Sequence, residues 1–347
     1  MKVRQLSDSK GLSYLHLVTL SLYAILLGVL VGLIDAVFGR VLIGLSEFRD
    51  HHLFYLVPAL PLAGLLIVYL YQKFAGKAAQ GMGLIFKVGH NEEDQVPLRL
   101  IPLVTVTTWL THLFGGSAGR EGVAVQLGAT VSHAFSRYFK LPNASCIFLT
   151  MGMAAGFGGI FQTPIAATFF SLEVLTLGQL SLPILVPTFI ASFMASTTSH
   201  LLGLEKFSHF VSESLTIDLG TFMKLALLGL AFGLAGNLFA YLLSLAKKKV
   251  ASLLPNPYYR VLLGGVVLTC LLLILCKGRY TGLGTNLIAL SVDGGIIYPL
   301  DWLFKLFLTV FTLSLGFQGG EVTPLFAIGA SLGAVLARVL GLPIPLV

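Results

Sequence analysis

Charge is what this 347-residue sequence has least of: Asp, Glu, Lys and Arg together make up 11% of it, against 56% hydrophobic residues and a mean hydropathy of +0.90. That balance excludes a soluble domain of ordinary composition. Only three cysteines occur, Cys146, Cys270 and Cys276, all in apolar stretches with neither metal-ligand spacing nor even pairing. They read as small buried hydrophobes, not as a disulfide framework or a zinc site. No nucleophile stands with a base at helical spacing, and there is no His/Asp cluster or phosphate loop, so a membrane enzyme finds no catalytic group here. The net charge of +7 is spread over loops, and Lys247–Lys249 reads as a cytoplasmic loop. No nucleic-acid partner, metal or cofactor is expected.

What the sequence does have is apolar length. Leu15 to Val37 runs 23 residues with Asp35 as its one charge, and Leu53 to Tyr71 runs 19 with none, each enough to cross a hydrocarbon layer of roughly 30 Å as a helix. Further apolar segments lie at about 100–114, 145–172, 180–204, 221–245, 261–276, 302–318 and 322–347. Several are short or interrupted by glycine and proline, as tilted or discontinuous helices are. The charged start, residues 1–13, reads as a cytoplasmic leader rather than a cleaved signal. Lys2, Arg4 and Lys10 before the first run, and Lys73 and Lys77 after the second, place the N-terminus inside.

Sliding the sequence against itself by 201 positions superposes its rarer features. Gly81–Leu84 falls on Gly282–Thr285, Gly115 on Gly316, Gly119 on Gly320, Gly128-Ala129 on Gly329-Ala330, and Leu141-Pro142 on Leu342-Pro343. The expectation is one membrane domain over 1–347, with a first repeat at about 14–205 and a second at about 215–347. The second stops where the counterpart of "MGMAAGFGGIFQTPIAATFFSLEV" would begin, which reads as an incomplete repeat. Repeats of this kind meet near the bilayer midplane, where glycine-rich turns bring helix amino termini to an anion. "GSAGRE" and "GFQGGE" both precede apolar segments in that way. The other reading of such glycines is tight helix packing.

"GSAGREGVAVQLGA", "GGIFQTPIAATFFSLEV" and "GFQGGEVTPLFAIGA", in that order, resemble the CLC family of chloride channels and chloride/proton antiporters. The resemblance implies an all-α polytopic membrane protein of two inverted repeats, tilted and partly discontinuous helices around a midplane anion site, and a homodimer with one pathway per subunit. It also implies that Glu121 is the gating and proton-carrying glutamate. Three departures are specific. Met82 stands in "GMGLIF" where chloride-handling members carry a serine, Glu321 and Thr323 stand in "GGEVTP", and Val123 replaces a proline. This set resembles the fluoride/proton antiporter branch. The implied anion-binding residues are Met82, Gly83, Gly119, Gly122, Gly320, Glu321, Val322 and Thr323, with Phe86 and Phe317 offering ring edges.

Chemistry makes the set intelligible. A thioether has no O–H to offer an anion, whereas Thr323 supplies a hydroxyl donor. A charged Glu121 competes with fluoride for one site and a protonated one has no reason to stay, so exchange follows. Arg120 braces the turn or faces away from it. Glu321 is either buried and paired or a helix cap. Val174 follows Glu173 where the family's chloride/proton antiporters carry a second proton glutamate, which leaves the inner proton route open. The expected function is fluoride export in exchange for protons across a bacterial inner membrane. The alternatives are a passive anion channel on the same scaffold and a chloride/proton antiporter.

Overall fold

The computed structural model describes residues 13–139, 141, 143–175, 182–208, 211, 213–216 and 218–347. The greater part of the expected leader, and Pro142 of the repeat, lie outside them. Fourteen α-helices are described: α1 (Tyr14–His51), α2 (Leu53–Leu56), α3 (Leu60–Leu70), α4 (Met82–Gly89), α5 (Leu100–Leu113), α6 (Glu121–Ser136), α7 (Ala144–Phe161), α8 (Pro164–Val174), α9 (Leu185–Leu201), α10 (Leu219–Leu253), α11 (Pro257–Ile274), α12 (Thr285–Val292), α13 (Asp301–Leu315) and α14 (Val322–Leu340). Seven helical stretches among the described residues are long and apolar enough to cross a membrane: Tyr14–His51, Leu53–Gly89, Ala144–Phe161, Leu182–Leu201, Leu219–Leu253, Pro257–Ile274 and Val322–Leu340. The protein is a multi-pass helical membrane protein.

The helix boundaries follow local chemistry. Pro58 opens a 3-10 turn at Val57–Ala59, so the run from Leu53 to Tyr71 is not one helix. It continues through α3, a π-turn at Tyr71–Ala75 and a 3-10 turn at Gly76–Gln80 into α4. The segment read as 145–172 likewise breaks in two, because Gln162 is left-handed (φ 55°) and Pro164 starts α8. Asn256 caps α11 by accepting from Tyr258 N at 2.9 Å. Asp218 caps α10 by accepting from Thr221 N at 2.7 Å, and those hydrogen bonds from Thr221 hold its carboxyl below the usual carboxylate range.

Two expectations are corrected. Lys247–Lys249 lie inside α10 and not in a loop; good helix formers carry the helix past its apolar run to Leu253. Cys270 is exposed on α11, while Cys146 is buried; the Cys276 side chain lies outside the description. The outward face of a membrane helix is as apolar as its inward face, so apolar neighbours in sequence do not by themselves bury a cysteine.

The chain divides into two compact units. The first takes the chain up to Ile43 with Leu70–Val106 and Glu121–Phe207; the second takes Gly44–Tyr69, Thr107–Arg120 and Ser208–Val347. In the first unit α6, α7 and α9 pack closely around a core that includes Leu27, Val31, Phe148, Met151, Ala191 and Ala195. Small residues permit this. A Cβ at Gly28 would come within 2.5 Å of Ala191 O, and one at Gly32 within 2.5 Å of Ala195 O, so α1 lies with its backbone against α9. Gly128 and Gly152 face each other, and a Cβ on either would collide with the carbonyl oxygen of the other. In the second unit α13 packs between α10 and α14, with Phe239, Leu243, Leu306, Val310 and Ile328 in its core.

Several helix starts and positive φ angles recur 201 positions apart. Helices start at Leu100 and Asp301, and again at Glu121 and Val322. Positive φ angles recur at Gly76 and Lys277 (51° and 49°), Gly81 and Gly282 (53° and 59°), and Gly115 and Gly316 (88° and 108°).

Gly152→Val overpacks a backbone contact that cannot yield and should cost about 2 kcal/mol or more. A thermal melt in detergent measures it against Gly229→Ala, which introduces a Cβ with nothing within 4 Å. The control should leave the melting temperature unchanged or slightly raised.

Candidate functional site

The first unit supplies two helix amino termini. Met82 opens α4 half-buried behind Gly81, with Gly83 exposed and Phe86 half-buried one turn on. Glu121 opens α6 and is 1% exposed, with Gly122 half-buried after it. The two starts are neighbours, since a Cβ at Gly81 would stand 3.3 Å from Gln126 Oε1 on α6. Within the first turn of a helix the N–H groups have no intrahelical acceptor, which makes such ends anion sites.

The second unit holds the other sequence-predicted residues around α14. Gly119 N donates to Gly320 O at 2.6 Å and Gly320 N donates back to Gly119 O at 2.7 Å, an isolated antiparallel bridge between the two glycines that the 201-residue offset superposes. The reciprocity extends to side chains. Ser117 N donates to Thr312 Oγ1 and Gln318 N donates to Thr111 Oγ1, both at 3.2 Å, and both pairs obey the same offset. Contacts in which i meets j′ and j meets i′ are the signature of a local two-fold. Thr323 is 5% exposed in the first turn of α14, after half-buried Val322, and Phe317 is 2% exposed. Arg120 is buried at 7% exposure.

Glu321 occupies the position before α14 without a side-chain capping hydrogen bond. Its carboxylate is 45% exposed, 3.6 Å from Lys247 Nζ on α10. It is therefore neither the buried partner nor the cap that the sequence suggested. Solvent screening leaves such a pair worth well under 1 kcal/mol.

A buried polar cluster in this unit was missed. Asp301, Lys305, Thr309 and Thr312 recur along α13 at helical spacing and are all fully buried. Lys305 Nζ reaches Ser117 Oγ (2.9 Å), Gly282 O (2.7 Å) and Tyr280 O (3.2 Å). Thr309 Oγ1 lies 2.9 Å from Ser117 Oγ. Asp301 accepts from the Tyr280 hydroxyl at 2.6 Å and from Arg279 at 2.8 Å. His112 has its ring nitrogens 2.9 and 3.0 Å from Thr108 O and Ala118 O, while Arg49 Nη1 donates to His112 O at 2.9 Å. The signal was present in "DWLFKLFLTVFT", where one face of an otherwise apolar helix carries every polar residue. Among the described residues no group of three His, Cys, Asp or Glu could hold a metal ion.

Residues 63–346 match the family described as voltage gated chloride channel, so the chain belongs to that family of membrane transporters and channels, the CLC proteins. A curated relative, the chloride/fluoride channel protein of Pseudomonas syringae pv. tomato, is 34% identical over 325 residues, which is 92% of this chain and 72% of the relative. The crystal structure of a CLC-type fluoride/proton antiporter superposes with a TM-score of 0.94 at 51% identity, covering 96% of this chain and 85% of that one. A slow cyanobacterial chloride/proton antiporter shares the fold, with a TM-score of 0.75 at 19% identity over 92% of this chain and 79% of that one.

Thr312→Val should leave the buried Ser117 N–H without its acceptor at a cost of about 1–3 kcal/mol, and Thr111→Val should do the same to Gln318 N–H. Unfolding in detergent measures each; because the methyls of Thr111 and Thr312 both abut Gly116, the double variant should depart from the sum.

Proposed function

We propose that the protein exports fluoride in exchange for protons, with Glu121 as the gate and proton carrier. The observation that carries this is Glu121 itself, a buried carboxylate on the first residue of a helix, at a position where the backbone otherwise offers its N–H groups to an anion. When charged, the side chain is a tethered competitor for the anion site. Once protonated it is neutral, leaves, and carries its proton as fluoride enters. Hydrogen fluoride crosses bilayers as the neutral acid and dissociates in a more alkaline cytoplasm, so export driven by the inward proton gradient relieves the accumulation.

The substrate choice rests on the first and second turns. Met82 removes a hydroxyl that would suit chloride, and buried Thr323 adds one at the start of α14. Gly83, Gly119, Gly122, Gly320 and Val322 contribute backbone, and Phe86 and Phe317 contribute positive ring edges. The printed descriptions of two relatives, one a chloride/fluoride channel protein and the other a fluoride/proton antiporter, support the same assignment. We further assign a homodimer of subunits, each built from two inverted repeats, in a bacterial inner membrane with the N-terminus cytoplasmic. A passive channel is the second reading, and Val174 at the end of α8, in place of an acidic residue, is what favours it.

Liposomes loaded with fluoride and set across a pH gradient test the choice. Fluoride efflux should move protons inward in a fixed ratio, followed by a fluoride electrode and a pH electrode together. Glu121→Gln should abolish the proton movement, and fluoride efflux without accompanying protons in the unmodified protein would establish the channel instead.

A further inference from the structure

Lys305 carries a charge whose use the gate does not explain. It is fully buried on α13, and among the described residues its ammonium meets only neutral oxygens. Three oxygens converge on Nζ, and two of them, Tyr280 O and Gly282 O, are carbonyls that only accept. With Thr309 donating to Lys305 O and Ser117 to Thr309, Nζ donates to all three, the full complement of an ammonium.

The acceptors are informative. Ser117 lies two residues before Gly119 of the glycine bridge, and Gly282 leads into α12 while also accepting from Ala118 N at 3.2 Å. A Cβ at Gly284 would stand 2.7 Å from Lys305 Cε, so the turn is shaped around the lysine stem. Of the other cations in this cluster, Arg49 is neutralised by Asp50 at 2.7 Å and Arg279 by Asp301 at 2.8 Å. Asp301, one turn before Lys305, is spent on Tyr280 and Arg279. The offset makes the placement one-sided, because position 104, the counterpart of Lys305, is a valine.

We propose that Lys305 is a positioning and specificity-determining residue for anion binding: a fixed positive charge, locked behind the turns that precede α6 and α12, that raises fluoride affinity through its field and not as a ligand. Burying an uncompensated cation is costly, and a transported anion is the counter-charge that offsets it. With all three protons committed to the protein, the ammonium neither coordinates the ion nor holds it against release. This rests on the reading of the chain as a fluoride carrier.

The test uses the full chain in liposomes, with fluoride as probe, and reads KM and turnover from initial efflux rates alongside calorimetric fluoride binding in detergent. Lys305→Met, near-isosteric and neutral, should raise KM and weaken binding by roughly tenfold, the scale of one charge at an effective dielectric near 20, with turnover at saturation little changed. Ser117→Ala keeps the charge and loosens the clamp, and Lys305→Arg keeps the charge in another shape; both should hold KM near wild type. Folded Lys305→Met with unchanged KM and binding overturns the proposal. So does either charge-preserving variant showing the tenfold loss, a comparison that stands even if Lys305→Met does not fold. Fluoride efflux without protons in the wild type would sink the antiport reading alone and leave this comparison intact.

Discussion

Two hydrogen bonds between Gly119 and Gly320 join the turns that lead into α6 and α14, where no side chain intervenes. In an apolar setting a turn cannot leave its peptide groups unpaired, as an irregular backbone without partners costs several kcal/mol per group. The two turns solve that problem for each other. Each supplies the acceptor for the other's glycine N–H, and the threonines one helix back, Thr111 and Thr312, supply the next pair.

The fold was legible where it depended on apolar length and on glycine and proline. Long runs predicted the membrane helices, while the run read as 145–172 turned out to break between Phe161 and Pro164. The 201-residue offset, found as matching glycines, reappears as matching φ angles at Gly81 and Gly282 and at Gly115 and Gly316. The helix ends were less legible. α1 runs on through Arg40 and Glu47 to His51, and α10 through Lys247–Lys249, because a helix leaving an apolar layer gains hydration for its charges without losing its backbone hydrogen bonds.

The candidate anion-binding residues were named through the resemblance of their glycine motifs to those of the CLC family. Glu321 shows the limit. Its neighbours in sequence, Gly320 and Thr323, are buried, yet its own side chain turns out toward Lys247, because consecutive residues at a helix start point in different directions. Lys305 shows the opposite failure. A lone lysine in an apolar helix looks like a snorkelling residue near an interface. Only the three acceptors that converge on it, from segments near positions 117 and 281, show that it is locked inside.

The shared φ angles also mean that the chain carries two independent solutions to one geometric problem. At 81 and 282 both copies keep glycine at a positive φ that favours it. Where they diverge, as at Gly76 and Lys277, φ is shared but ψ is not, −125° at the glycine and 51° at the lysine, so the side chain goes with the left-handed helical conformation that can carry one. Each half thus serves as a readout of what the other half's backbone permits, and positions where the halves disagree are those at which sequence was free to be spent on chemistry. Val104 and Lys305 are such a pair, as are Ser117 and Gln318. The molecule's asymmetry is written on a symmetric frame, and the frame makes the asymmetry visible.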